Sequence, residues 1–174
     1  MNHLTLILGG SCSGKSRYAL EYGQQFGPRR YLVATAQALQ EDMVTRIEAQ
    51  KRERSAEWIV IEEAIKVPDI VGFLQRKADV VVIDCLFLWL SNLMMVQDPN
   101  TIEKEIAKLM TAIKRIDCAV ITVSNEIGCG IIPPDPISRG FRDLLGRMHQ
   151  NLASLSNEVV FMIAGIPMTL TPRK

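Results

Sequence analysis

The stretch LTLILGGSCSGKSRYA, residues 4–19, runs without a break from an apolar β-type segment through a glycine-bracketed turn into the start of a helix. Gly9, Gly10, Ser11, Cys12, Ser13, Gly14, Lys15 and Ser16 satisfy G-x-x-x-x-G-K-[ST] in full, in the strand-turn-helix setting that this motif demands. Glycines let the backbone fold back with its N–H groups aimed inward, and the following helix adds its positive N-terminal end. Together they make a nest for polyphosphate. Lys15 is expected to reach the β and γ phosphates, and the Ser16 hydroxyl to ligand Mg²⁺. The G-x-G-x-x-G spacing of a dinucleotide site is absent from this turn.

Outward from the loop, short apolar runs alternate with helical patterns. LTLIL (4–8), RYLVAT (30–35), WIVIE (58–62), VVVID (80–84), AVITVS (119–124) and EVVFMIAG (158–165) read as strands. Helices are expected over 16–25, over 41–54 with Met43, Val44 and Ile47 on one side, and over 141–155. Ile102, Ile106, Leu109, Met110 and Ile113 fall at the spacing of an amphipathic helix packed on a sheet. The alternation argues for βαβ units, hence an α/β fold with a mostly parallel sheet flanked by helices. With 174 residues, 48% of them hydrophobic, the chain is expected to form one domain with a substantial core.

Twenty Lys and Arg against nineteen Asp and Glu leave a net charge of +1, so no global field favours nucleic acid or an acidic membrane. A small-molecule substrate is the default. The longest apolar run, VVVIDCLFLWL, is too short to span a bilayer and carries Asp84. With no signal-peptide pattern in MNHLTLILGG, the chain reads as soluble and cytoplasmic. Cys12, Cys85, Cys118 and Cys129 form no CxxC pair, which suggests reduced and mostly structural thiols.

A phosphate loop holds metal poorly without a second carboxylate. Asp84 ends an apolar strand, where a parallel sheet opens toward its ligand, and is the expected Mg²⁺ partner; capping the next helix is the competing role. In SNEIGCGIIPP (124–134), Asn125 and Glu126 follow a strand, and Gly128 and Gly130 suggest backbone brought close to a ligand, with a plain polar turn as the alternative. The proline-rich IIPPDP (131–136) reads as an ordered loop beside a site.

GGSCSGKS, ATA at 34–36, the Arg46-Ile47 pair followed by a basic run and Trp58, IDCLFLWLSNL, SNEIGCGIIP, and FRDLLGRMHQNLA followed by AGIP occur in that order along nearly the whole chain. The combination resembles the adenosylcobinamide kinase/adenosylcobinamide-phosphate guanylyltransferase family of cobalamin biosynthesis. The resemblance implies a RecA-like P-loop NTPase domain with two activities: phosphorylation of the adenosylcobinamide hydroxyl by ATP or GTP, and GMP transfer from GTP to that phosphate. It implies nucleotide contacts at the loop, at Ala34, Thr35 and Ala36, at Lys51, Arg52, Glu53 and Arg54, and at Glu62 and Asp84. It also implies a homotrimer with its site near a subunit boundary. Read from residues alone, a basic run on a helix is more often just a solvated face.

The family's guanylyl transfer passes through a histidine placed between the Arg-Ile pair and the basic run. This chain reads Arg46-Ile47-Glu48-Ala49-Gln50-Lys51, with Gln50 at that position. An imidazole lone pair forms a phosphoramidate, whereas a delocalised amide nitrogen does not. Three outcomes stand open: loss of guanylyl transfer, direct attack of the substrate phosphate on GTP, or retention out of register with the family pattern, for which Ala49 and Gln50 leave little room. His149 would substitute only if it lay within reach of the α phosphate. The kinase half needs positioning and charge stabilisation alone, with Lys15, Ser16 and Asp84 in place and Glu126 or Glu62 to orient the corrinoid hydroxyl. A generic small-molecule kinase and a non-catalytic nucleotide-binding regulator are the competing classes.

Overall fold

The structure, a computed structural model, describes residues 3–36 and 57–170. Seven strands form one sheet: β1 (Leu4–Gly9), β2 (Arg30–Ala34), β3 (Ile59–Glu62), β4 (Val80–Asp84), β5 (Ala119–Asn125), β6 (Glu158–Ile163) and β7 (Ile166–Leu170). Their spatial order is β3-β2-β4-β5-β1-β6-β7, and every pairing is parallel except β6 with β7. β1 is buried at all six positions, as a central strand covered on both faces must be. The edge strands β3 and β7 are largely exposed.

The helices are α1 (Lys15–Gly23), α2 (Val67–Phe73), α3 (Leu86–Val96), α4 (Pro99–Arg115) and α5 (Pro136–Leu155). Strand alternation sends Leu4, Leu6, Leu8, Val81, Ile83 and Val120 to one face, where α2 to α5 cover them. Ile7, Leu32, Val80, Val82, Ile121 and Val160 point to the other, where they pack with Ala19 of α1 and with Trp58. Gly23 lets α1 approach: a Cβ there would stand 2.7 Å from the Trp58 ring.

Most strand expectations hold within a residue or two. The helix expected over 141–155 starts five residues earlier, at Pro136, where Asp135 caps it by accepting from Ser138 N–H. Two helices were not foreseen. LFLWLSNLMMV follows β4 so closely that its helical period is hidden in one long apolar run, and VPDIVGF is too short to show a period. The strand expected over 158–165 ends at Ile163. Ala164 (φ 52°) and Gly165 (φ 81°) then make a two-residue hairpin turn into β7. The helix expected over 41–54 lies outside the described residues.

Candidate nucleotide site

The parallel register brings the carboxyl ends of β1, β4 and β5 to one edge. Gly9 is level with Asn125, and Asp84 with Val123. The loop 9–16 leaves β1 at this edge and ends in α1, whose N-cap, Gly14, adopts φ 91°. Gly9 sits at φ 151°, and a Cβ on it would meet the Met162 carbonyl at 2.5 Å, so only glycine fits between β1 and β6. Lys15 is buried, and its ammonium donates to the Gly10 carbonyl and, at 3.4 Å, to Ser13 Oγ. The cation is thus folded back into the nest, where an incoming phosphate would replace those neutral acceptors.

Asp84 lies two strands from β1, about 10 Å at the usual interstrand spacing. The capping alternative is not what the backbone adopts: the N-cap of α3 is Cys85, with no side-chain cap bond. Burial pushes the Cys85 thiol up to about 12, the Asp84 carboxylate adds to the rise, and the Lys15 ammonium opposes it.

Thr35 is fully buried. Its hydroxyl accepts from Cys85 N–H at 2.7 Å and donates to the Cys85 carbonyl at 2.7 Å, while its own N–H donates to the Asp84 carbonyl at 3.0 Å. Asn92 of α3 closes the clamp, donating to the carbonyls of Thr35 at 2.8 Å and Ala64 at 3.2 Å. The Thr35 hydroxyl is thus engaged with the backbone next to Asp84. The sequence signal for this clamp was a polar Asn92 in a helix whose Leu86, Trp89, Leu90 and Leu93 are otherwise apolar and buried.

Glu126 follows β5, and its N–H donates to the Gly9 carbonyl at 3.0 Å, tying it to the root of the phosphate loop. One carboxylate oxygen accepts from Gly128 N–H. Gly128 and Gly130 are exposed, and Gly128 turns the chain around Glu126. Glu62 ends β3, an edge strand four steps from β1 and so about 19 Å away. Of the two carboxylates expected to orient a substrate hydroxyl, only Glu126 adjoins the loop. Gly165, missed as a site residue, braces the loop through its N–H to the Ser13 carbonyl at 3.1 Å.

Cys85 and Cys118 are buried, whereas Cys12 in the loop and Cys129 beside Glu126 are exposed, and all four are free thiols. Gln50, Lys51, Arg52, Glu53 and Arg54 lie outside the described residues. Ser16 stands second in α1, half-buried, and Asp84 ends β4 at the same edge of the sheet. Both are hard oxygen donors of the kind Mg²⁺ takes from a protein when phosphates and waters supply the rest. Among the described residues no helix is long and apolar enough to cross a membrane.

The fold is shared with a KaiC-like protein from Pyrococcus horikoshii, at a TM-score of 0.51 and 14% identity over 91% of this chain and 70% of that one. It is shared also with the RadB recombinase, at a TM-score of 0.53 and 16% identity over 91% and 73%. The fold is accordingly that of the RecA-like P-loop NTPases. In sequence, the chain is 36% identical over 165 residues to the bifunctional adenosylcobalamin biosynthesis protein CobP of Pseudomonas aeruginosa, covering 95% of each. It is 32% identical over 176 residues to the bifunctional adenosylcobalamin biosynthesis protein CobU of Escherichia coli, covering 94% of this chain and 97% of that one. Residues 5–170 match the family described as cobinamide kinase / cobinamide phosphate guanyltransferase, and with its phosphate loop, Asp84 and Glu126 in the order the resemblance required, the chain belongs to that family.

Proposed function

We propose that this protein phosphorylates the free hydroxyl of adenosylcobinamide with ATP or GTP, and that it does not transfer GMP through a covalent histidine. The observation that supports the first part is the shared sheet edge: a phosphate loop with Lys15 turned into it, Asp84 clamped two strands away, and Glu126 bonded to the loop's root. The loop N–H groups and Lys15 hold the β and γ phosphates, and Lys15 stabilises the charge that spreads over the transferring group. Glu126 orients the substrate hydroxyl and takes its proton as the new oxygen–phosphorus bond forms and the bond to the β-phosphate oxygen breaks. Ser16 and Asp84 would hold Mg²⁺. Held there, the ion would supply charge neutralisation to the phosphates.

The second part rests on Gln50 standing where the family's nucleophile is expected. The relatives' description as bifunctional favours a second reading in which both activities persist. One experiment separates them: incubation with adenosylcobinamide plus γ-labelled ATP or α-labelled GTP, resolving the phosphorylated corrinoid from a GDP-linked product. Phosphorylated corrinoid, with no acid-labile, base-stable label on the protein, is the expected result, and Gln50→His should then acquire label. Labelled wild-type protein would overturn the second part, and absence of any phosphorylated corrinoid the first. Assembly as a homotrimer belongs to the same proposal. Exposed Ile131, Ile132 and Ile137, in and just after the loop that follows β5, offer apolar surface that an assembly would cover, and sedimentation equilibrium tests it.

A further inference from the structure

His149 has no part in the chemistry above, yet it is buried on α5 against the end of β5. Its Nε2 lies 2.8 Å from Ser124 Oγ, and Ser124 is itself fully buried. Its Nδ1 is buried and makes no hydrogen bond, and the group that faces it is Glu126 Oε2 at 3.5 Å. We propose that His149 is a positioning residue for Glu126: its ring, fixed by Ser124, presents Nδ1–H to the carboxylate and sets the direction in which Glu126 faces the substrate hydroxyl.

The geometry selects one tautomer. A carboxylate can only accept, so Nδ1 must carry the proton; Nε2 then has the free lone pair, and the Ser124 hydroxyl donates to it. Burial holds the imidazole below its ordinary value while the Glu126 carboxylate opposes that shift, so the neutral ring is the form present at neutral pH. With Oε1 taken by Gly128 N–H and Oε2 steered by His149, both carboxylate oxygens are oriented from the protein side, and each keeps a second acceptor direction for substrate. The 3.5 Å separation suits a contact that tightens when substrate arrives. A core histidine with only a structural role would have no reason to aim a ring nitrogen at the carboxylate of Glu126, the residue whose backbone N–H is bonded to the root of the phosphate loop.

This inference rests on Glu126 acting in the kinase reaction, and its test keeps the two ideas apart. The chain has two histidines, so ¹⁵N-histidine NMR of the whole protein is readily assigned. The His149 ring should show the Nδ1–H tautomer, and Glu126→Gln should shift it. An Nε2–H tautomer, or a ring indifferent to Glu126→Gln, would overturn the proposal whatever the enzyme does. In turnover, an amide side chain can replace one ring nitrogen at a time. His149→Asn places its N–H near the Nδ1 position and should retain kcat within about threefold. His149→Gln reaches only Ser124 and should lose about tenfold in kcat with the nucleotide KM unchanged. In a Glu126→Gln background, His149→Gln should cost nothing further, because it acts through the group already removed. An additive loss in that double variant would mean a merely structural histidine. Wild-type protein that shows the expected tautomer but is inert toward adenosylcobinamide would overturn the kinase reading alone.

Discussion

Lys15 is held by the loop's own carbonyl, outside the apolar core clusters, so its loss should harm chemistry far more than folding. Lys15→Ala is expected to lower kcat for corrinoid phosphorylation by at least ~10²-fold while leaving the far-UV circular dichroism unchanged. Near-normal turnover would remove the kinase assignment. At Asp84 the relevant property is charge. Asp84→Asn keeps the side chain's shape, so the expected outcome is a steep fall in activity together with a higher Mg²⁺ requirement. A Mg²⁺ titration that superimposes on the wild type would take Asp84 out of the metal site. Both residues were legible in the sequence because each belongs to a local pattern: a loop motif in one case, an acid ending an apolar strand in the other. His149 was not, because its partners Ser124 and Glu126 lie more than twenty residues away and meet it only where α5 crosses the end of β5.

Between elements, the Thr35 hydroxyl joins β2 to the turn between β4 and α3 and holds the backbone on which Asp84 stands. Thr35→Val preserves volume but leaves the buried N–H and carbonyl of Cys85 without that partner, a cost of about 1–3 kcal/mol. The urea midpoint should fall accordingly, and activity should drop with it if the clamp sets the position of Asp84. A variant as stable as the wild type would show that the clamp is replaceable. The resemblance implies nucleotide contact at Thr35, and in the structure its hydroxyl is bonded to the backbone of Cys85. Sequence pattern alone does not separate these roles, since ATA at 34–36 reads the same whichever way the hydroxyl points. The β6–β7 hairpin is similar: Ala164-Gly165 is a weak turn signal, and its importance to the phosphate loop comes from the Gly165–Ser13 bond.

Across the whole molecule, proton linkage follows from where the titratable groups end up. The folded protein keeps His149 below its ordinary 6.5, so from about pH 6.5 downward the unfolded chain binds a proton that the folded one refuses. Stability should therefore fall as pH drops from 6.5, and this group should contribute nothing above that. Asp79, Asp98 and Asp135 are held below 3.8 by bonds from Arg29, from Thr101 and from the Ser138 backbone, so their contribution is present above 3.8 and lost at lower pH. Thermal melts from pH 8 to 3 should show two separate declines, with the upper one removed in His149→Asn. A flat profile between pH 6.5 and 5 would place His149 in a more solvated setting than its burial indicates. The sequence by itself determined the α/β class, the phosphate-loop motif, the acid that ends an apolar strand at Asp84, and the family, because apolar periodicity and motif spacing are local properties that neighbouring residues carry between them. Only the tertiary structure decided which of Glu62 and Glu126 adjoins the loop, that Thr35 serves Asp84, and that His149 faces Glu126. The physical reason is strand order: the sheet runs β3-β2-β4-β5-β1, which sends Glu62 to an edge and brings the ends of β4 and β5 to the phosphate loop, an outcome of packing that no local pattern contains.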